Sequence, residues 1–485
     1  MLFNSLEYFL FLPIVFLIYW ALNKSKASQN FLILVASYLF YAYWDWRFLS
    51  LIVISSFVDF IIGIQVDKTE KHSSKKMLVA ISLFVNLGFL FVFKYYNFFV
   101  ESFVSMFSNM GLELNARTLH VILPVGISFY TFQTLSYTLD IYYGRMKPTK
   151  KIIDFFAYVS FFPQLVAGPI ERASNLLPQF EVTRIFTFER GRDGMRQILW
   201  GLFKKVVIAD NCAIFVDAIY ADHAGLGGPI LFLAAILFVI QVYCDFAGYS
   251  DIAIGSARLL GFDLMQNFNN PYFSTNSTEF WRRWHISMST WFRDYVFNPI
   301  TMSLRQFRAK AVYISTLITF TLIGIWHGAN WTYVIFGFLQ SIALIIEIYN
   351  RKSRKKFKKS LSVGQTKLYE FGSWFLLMSF WTYLCIIFRS STFSSSLTFV
   401  KNMFQRPTLE FIPTLQSLGL SSKLLLLIFI VSIVLFVVER INKKFLHGLE
   451  RMPKNPIIRY PIYLVLYFFV IQYLYGEKSF IYFQF

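Results

Sequence analysis

The sequence predicts an all-α polytopic membrane protein, a helical bundle with re-entrant segments around a central funnel. Three observations carry that prediction. Of the 485 residues, 56% are hydrophobic and 20% aromatic while only 15% are charged, a balance far too apolar for an ordinary soluble domain. Apolar runs recur from one end of the chain to the other, close to the roughly 17–25 residues that a bilayer crossing takes. Between those runs the cationic residues gather in short clusters.

The first run, Tyr8–Leu22, follows Glu7 and has no basic stretch before it, so it lacks a secretory signal's cleavage pattern and is expected as a retained membrane helix. Lys24–Lys26 comes next. Under the positive-inside rule this cluster and those at Lys68–Lys76, Lys147–Lys151, Arg305–Lys310, Arg351–Lys359 and Arg440–Lys444 are inner connectors. Phe31–Val66 is then a hairpin with a short first arm and Trp44–Trp46 at its outer turn, Leu49–Val66 forming the second arm. Met77–Val92 crosses outward and Val121–Tyr143 returns to Arg145–Lys151. In Phe161–Pro178 the residues Pro163, Gly168, Pro169 and Pro178 break an otherwise membrane-like stretch. Irregular backbone at membrane depth is tolerated only against protein or a water-filled cavity, which argues for a re-entrant piece; an interfacial loop is the alternative. Pro229–Cys244 is a further span. Phe371–Phe388, Leu424–Val438 and Tyr460–Tyr475 cross outward, inward and outward, leaving the Ser/Thr-bearing loop Ser390–Ser422 and the C-terminus on the outer side. With no internal repeat and no linker, residues 1–485 read as one membrane domain: N-terminal helices over 1–120, a core over 121–350, and C-terminal helices with an aromatic tail over 351–485.

The net charge of +19 does not indicate nucleic-acid binding, because the cations sit in the connectors and no solvated basic domain carries them. Cys212, Cys244 and Cys385 lie in or beside apolar stretches at no metal-ligand spacing, so neither a metal site nor a disulfide framework is expected.

Two histidines draw the argument toward chemistry. The stretch Ala311–Asn350 is too long for one crossing and is interrupted at Trp326-His327-Gly328, so a hairpin broken at Gly328 carries His327 deep into the protein. An ionisable residue at that depth is costly and faces a cavity or a partner, although an aromatic core can also hold a hydrogen-bonded histidine. His285 lies in Glu279–Tyr295. Taken as one helix, this segment puts Trp281, Trp284, Met288, Trp291 and Tyr295 on an apolar stripe and Arg282, His285, Ser289 and Arg293 on a polar one. Such a helix offers a cationic face to a phosphorylated ligand, or equally to lipid headgroups. A buried neutral imidazole is suited to take the proton of a hydroxyl as that oxygen attacks an activated acyl group, and His285 or Asn330 could orient donor or acceptor. No other catalytic triad is visible.

These residues sit within an ordered series: Leu123-Pro124-Val125-Gly126-Ile127-Ser128-Phe129-Tyr130, Phe162–Ile170, Cys244-Asp245-Phe246-Ala247-Gly248-Tyr249-Ser250-Asp251, Glu279–Tyr295 and Trp326-His327-Gly328. The series resembles the membrane-bound O-acyltransferase family, in the bacterial branch that acetylates alginate and peptidoglycan, most strongly over Leu123–Gly337. The resemblance implies an acyl-CoA-type donor, acetyl-CoA in this branch, entering from the cytoplasmic side of the bacterial inner membrane. It also implies a catalytic role for His327 and a second-histidine role for His285. Arg282, Arg283 and Arg293 become candidates for the donor's phosphates, with Asn330 beside them. The final Phe480–Phe485 is similar to an aromatic C-terminal motif of these acetyltransferases and of a small companion protein in D-alanyl transfer, which makes Tyr482 a candidate acyl carrier, or else an interfacial anchor. An extracytoplasmic SGNH-type transferase is the expected partner and an envelope or exported polysaccharide the final acceptor. D-alanyl transfer toward teichoic acid is the nearest alternative. A transporter of a lipid-linked or acylated precursor is the alternative of a different class, disfavoured by the lack of related halves.

Overall fold

The computed structural model describes residues 1–114, 117–119, 122–166, 168–405 and 410–474. Among them there is no strand, and eight helical stretches are long and apolar enough to cross a membrane. The exterior matches that setting: Leu426 and Ile433 are each 62% exposed and Leu464 66%, a surface that would drive aggregation in water but dissolves in lipid. The chain is a multi-pass membrane protein of all-α class, and its described residues fall into two compact units.

The first unit comprises Met1–Ile198 and Ile252–Met265. It begins with α1 (Leu6–Ala21), α2 (Lys26–Asp45), α3 (Leu49–Lys68), α4 (His72–Leu90) and α5 (Tyr96–Ser108). It continues with α6 (Ile127–Tyr142), the short α7 (Ile152–Val159), α8 (Phe162–Leu165) and α9 (Ala173–Glu181), and most of α10 (Phe188–Leu202). The hairpin's first arm is not short: Ser25 caps α2, which starts at Lys26 and so equals α3 in length at 20 residues, with a 3₁₀ turn over Trp46–Phe48 between them. What holds α3, α4 and α6 together is polar. The buried Asp59 carboxylate accepts hydrogen bonds from Ser82, from Asn86 Nδ2 (2.7 Å) and from Thr138 Oγ1 (2.8 Å), which satisfies a group that bare burial would not permit. Helix α6 starts at Gly126, whose φ of +76° is a left-handed turn that favours glycine, and a Cβ there would meet the Leu165 carbonyl. The broken stretch over 161–178 is packed against protein: Phe161, Phe162, Leu165, Leu176 and Leu177 are all buried.

The second unit comprises Leu199–Asp251 and the described residues from Gln266 onward. It contains α11 (Asp210–Ala221), most of α12 (Gly228–Leu259), α13 (Ser277–Arg283), α14 (Ile286–Phe292), α15 (Asn298–Ser303), α16 (Ala309–His327) and α17 (Trp331–Ser360). After these come α18 (Val363–Arg389), α19 (Phe393–Gln405), α20 (Phe411–Ser417), α21 (Ser422–Ile441) and α22 (Pro456–Tyr473). The expected hairpin broken at Gly328 is α16 and α17. They approach closely because Gly324 and Gly337 face each other: a Cβ on Gly324 would strike the Tyr333 carbonyl and one on Gly337 the Phe320 carbonyl. Two expectations from the sequence change: Arg351–Lys359 is not a loop but the last turns of α17, and Ser390–Ser422 is mostly helical, as α19 and α20. Near α11 the buried Lys204 is held between Asp251 (3.0 Å) and Glu439 (3.2 Å), and Lys205 between Asp210 (2.8 Å) and Asp245 (2.6 Å), so each ammonium is paired twice.

Candidate active site

Both histidines belong to the second unit, and both line one small cavity of about 30 Å³, room for about one water molecule. His327 is the last residue of α16. Gly328 leaves the helix in extended conformation, and Asn330 restarts it by accepting from the Thr332 N–H at 3.0 Å. The His327 ring is 6% exposed and stands edge-on to Phe388 at 5.3 Å and Phe336 at 5.8 Å between centroids. Across the cavity His285 is fully buried, edge-on to Phe246 at 4.5 Å and to Trp326 at 5.8 Å. Neither ring nitrogen of His285 has a hydrogen-bond partner among the described residues. Burial pushes its imidazole well down, to about 3, so the ring is neutral at any physiological pH.

The sequence reading of Glu279–Tyr295 as one helix is overturned here. The chain breaks between Arg283 and Ile286, and His285 takes up a left-handed conformation with φ 44° and ψ 53°. The break has a physical cause in pairing with an extended segment: the Asn269 N–H donates to the Arg283 carbonyl and the Ile286 N–H to the Asn267 carbonyl, each at 2.8 Å. The consequence is a rotation of the expected stripe. Arg282, Ser289 and Arg293 face one side, and His285 departs from them into the aromatic cavity with Trp284.

On the side of the arginines lies a groove of about 1050 Å³. Arg282, Arg283 and Arg293 all line it, and so do four cations that sequence reasoning assigned to a connector: Arg351, Arg354, Lys355 and Lys358. Seven cations thus meet three lining carboxylates, Glu279, Glu347 and Glu370. Some of the charge is internally paired, Arg283 with Glu279 at 2.7 Å and Lys358 with Glu370 at 2.6 Å, while Arg293 pairs with Asp294 at 2.8 Å. Glu347 is occupied in accepting from the Ser277 N–H at 2.8 Å. Arg282, Arg351 and Lys355 have no acidic partner among the described residues, which leaves a standing positive potential suited to phosphate. The signal for the four α17 residues was present in the sequence, since positions 351, 354, 355 and 358 fall at i, i+3, i+4 and i+7 on one helical face. Asn330 does not line the groove; its amide donates to the Ser391 carbonyl at 2.9 Å and its oxygen caps α17. Tyr482 lies outside the described residues.

A large cationic groove bordered by α13 and α14 and a small apolar cavity with two imidazoles at the junction between those helices form an arrangement that can hold a phosphorylated donor by one end and activate a hydroxyl at the other. Residues 149–389 match the membrane-bound O-acyltransferase family. The chain is 41% identical over 342 residues to the probable alginate O-acetylase AlgI of Pseudomonas putida, a match covering 70% of this chain and 69% of that protein. It is 31% identical over 433 residues to the peptidoglycan O-acetyltransferase of Helicobacter pylori, covering 83% and 80%. The chain belongs to the membrane-bound O-acyltransferase family. The teichoic acid D-alanyltransferase of Bacillus subtilis is more distant, 29% identical over 245 residues and covering 48% of this chain and 61% of its own. Membrane-bound O-acyltransferases use acyl-CoA-type donors, and this member is an acyltransferase enzyme.

Proposed function

We propose that this membrane-bound O-acyltransferase moves acetyl from cytoplasmic acetyl-CoA across the bacterial inner membrane for O-acetylation of an envelope or exported polysaccharide. The observation that carries the reading is the groove: cations from α13, from Arg293 just after α14 and from α17 converge on a volume that fits an extended phosphorylated donor. By the positive-inside rule the α17 cluster faces the cytoplasm, so the donor enters from that side. The nucleotide phosphates of acetyl-CoA rest on Arg282, Arg351, Arg354 and Lys355, and the pantetheine arm runs past the α13–α14 junction toward the histidines.

His327 acts as the base. As an acceptor hydroxyl attacks the thioester carbonyl, its proton passes to the His327 imidazole; the C–S bond breaks, and the imidazolium returns the proton to the departing thiolate, giving an ester and free CoA. His285, neutral, orients the carbonyl or donates a hydrogen bond to the oxyanion. The acceptor is the hydroxyl of Tyr482, which carries the acetyl group at an extracytoplasmic C-terminus to an SGNH-type transferase and thence to the polysaccharide. The named activities of the AlgI and peptidoglycan relatives support acetyl as the group and a polysaccharide as its destination.

Purified protein in nanodiscs, given acetyl-CoA with no gradient present, is expected to release CoA and to acquire one acetyl group on Tyr482 by mass spectrometry, and Tyr482→Phe to acquire none. Turnover with D-alanyl carrier protein but not with acetyl-CoA would assign the chain to the D-alanyl reaction, which the Bacillus subtilis relative keeps in view. Acetyl-CoA turnover with no acetyl on Tyr482 would retain the donor and remove the carrier.

A further inference from the structure

We infer that Asn267 is a positioning residue for His285: it caps α14 from outside, so that the histidine at the cap position is free to turn its ring into the cavity. The inference rests on the reading that His285 takes part in transfer, and it concerns how the chain holds a strained residue there.

A helix start leaves its first N–H groups without intrahelical partners, and the residue at the cap position ordinarily satisfies one of them with its own side chain. At α14 that residue is His285, and its side chain makes no such bond. Asn267 supplies the bonds instead. Its main-chain carbonyl accepts from the Ile286 N–H at 2.8 Å, and its Oδ1 accepts from the Ser287 N–H at 3.3 Å and the Ser287 hydroxyl at 2.9 Å. Its Nδ2 donates to Ser250 Oγ at 3.0 Å, which fixes the amide's orientation against α12. Asn267 and Ser287 are both fully buried, so water does not compete for these bonds.

The backbone at His285 needs this support. A non-glycine residue at φ 44° is strained, and it persists only when its surroundings over-determine it; such residues gather at functional sites. Here both flanks are held, since Asn269 pairs with Arg283 on one side and Asn267 with Ile286 and Ser287 on the other. The same Asn267 side chain thus ties α12, the extended segment before α13 and the first turn of α14 to one point, directly behind a ring that faces His327 across the cavity. A structural asparagine would do as much for any turn. What distinguishes this one is that everything it holds bears on the direction of a single imidazole.

A double-mutant cycle tests the inference. Single-turnover transfer is measured for wild type, His285→Gly, Asn267→Ala and the double variant in nanodiscs, with acetyl-CoA or, if acetyl-CoA is not turned over, with D-alanyl carrier protein, so a wrong donor identity leaves the cycle intact. Glycine suits the left-handed position and does not confound loss of the ring with backbone strain. His285→Gly is expected to slow transfer on the order of 100-fold, Asn267→Ala to approach that loss, and the double variant to be no slower than His285→Gly alone. Donor KM is expected to stay within about twofold throughout, since the phosphate groove is untouched. Independent losses that multiply would overturn the inference, and so would an unchanged rate in His285→Gly. Ser287→Ala runs the same cycle with a smaller perturbation should Asn267→Ala fail to fold. Ser287→Ala removes the hydroxyl's bond to Asn267 Oδ1 and keeps the Ser287 N–H bond, so it is expected to retain more of the rate than Asn267→Ala; no deeper loss for Asn267→Ala than for Ser287→Ala would count against positioning through the Asn267 carboxamide.

Discussion

The groove is lined by α13 and α14 and the histidine cavity by the junction between them, Trp284 and His285, yet the two are opposites in every physical respect. The groove is about 1050 Å³, lined by long cationic side chains, several of them exposed. The cavity is about 30 Å³, walled by Phe, Trp and Val side chains, and the groups able to hydrogen-bond toward it are two imidazoles, a thiol and indole nitrogens. In the first, charge attracts a ligand that is itself charged and the binding is screened by salt. In the second, a low dielectric amplifies a hydrogen bond or a proton transfer, and any net charge would be costly. The difference teaches that recognition and chemistry are separated here by a single turn of backbone, the strained junction at His285.

The comparison breaks first at His327. If the cavity alone supplies the chemistry, His327→Gln, which keeps a hydrogen-bonding group of similar reach but cannot cycle a proton, is expected to lower kcat by about 10³-fold or more while donor KM holds. A KM change with kcat intact would move His327 to the binding side. The next effect is smaller and of the opposite kind. Arg351→Gln with Arg354→Gln removes two groove cations one turn apart on α17 and is expected to raise the KM for acetyl-CoA roughly 10- to 100-fold with kcat nearly unchanged. Raising salt from about 0.05 M to about 0.5 M should weaken donor binding in wild type more than in this variant, because fewer screened charges remain. Isothermal titration with CoA reads both effects directly.

How much of this was legible in the sequence depended on range. The α16–α17 hairpin was, because the apolar length, the flanking cations and Trp326-His327-Gly328 are all local. The cationic face of α17 was legible but misassigned, since the positive-inside rule explains such residues without asking whether their i, i+3, i+4, i+7 spacing gives them a common target. Asn330 carried a local cap signal ahead of Trp331, and the cap is what it forms. The break at His285 was not legible. The apolar stripe runs through Trp284 and Met288 without a fault, and no proline or glycine marks the junction. It is imposed by Asn267 and Asn269, which lie before α13 and pair with the backbone on either side of His285, so tertiary pairing overrides helix propensity. Phe246 against His285 is likewise invisible until α12 and α14 are brought together.

The smallest effect sharpens the claim that the cavity is apolar and uncharged. With its imidazole pushed down to about 3 in the folded protein, against an ordinary value near 6.5, His285 binds a proton in the unfolded chain before it does so in the native one. Between those two values the unfolded state holds the extra proton, so native stability rises with pH across the window and is lost as pH falls below about 6.5; above it the residue contributes no slope. The slope from one such group is at most about 1.4 kcal/mol per pH unit. Among the described residues the other titratable groups lining the cavity are His327 and Cys385, with no carboxylate to supply a slope of its own. Melting in detergent at pH 7.0 and at pH 5.0 is therefore expected to show a larger acid-induced drop in Tm for wild type than for His285→Asn, which keeps a residue tolerant of the left-handed backbone and removes the titrating ring. Equal drops would mean that the His285 ring is solvated or protonated in the native state, and the separation between a charged groove and a neutral cavity would then fail at its dividing residue.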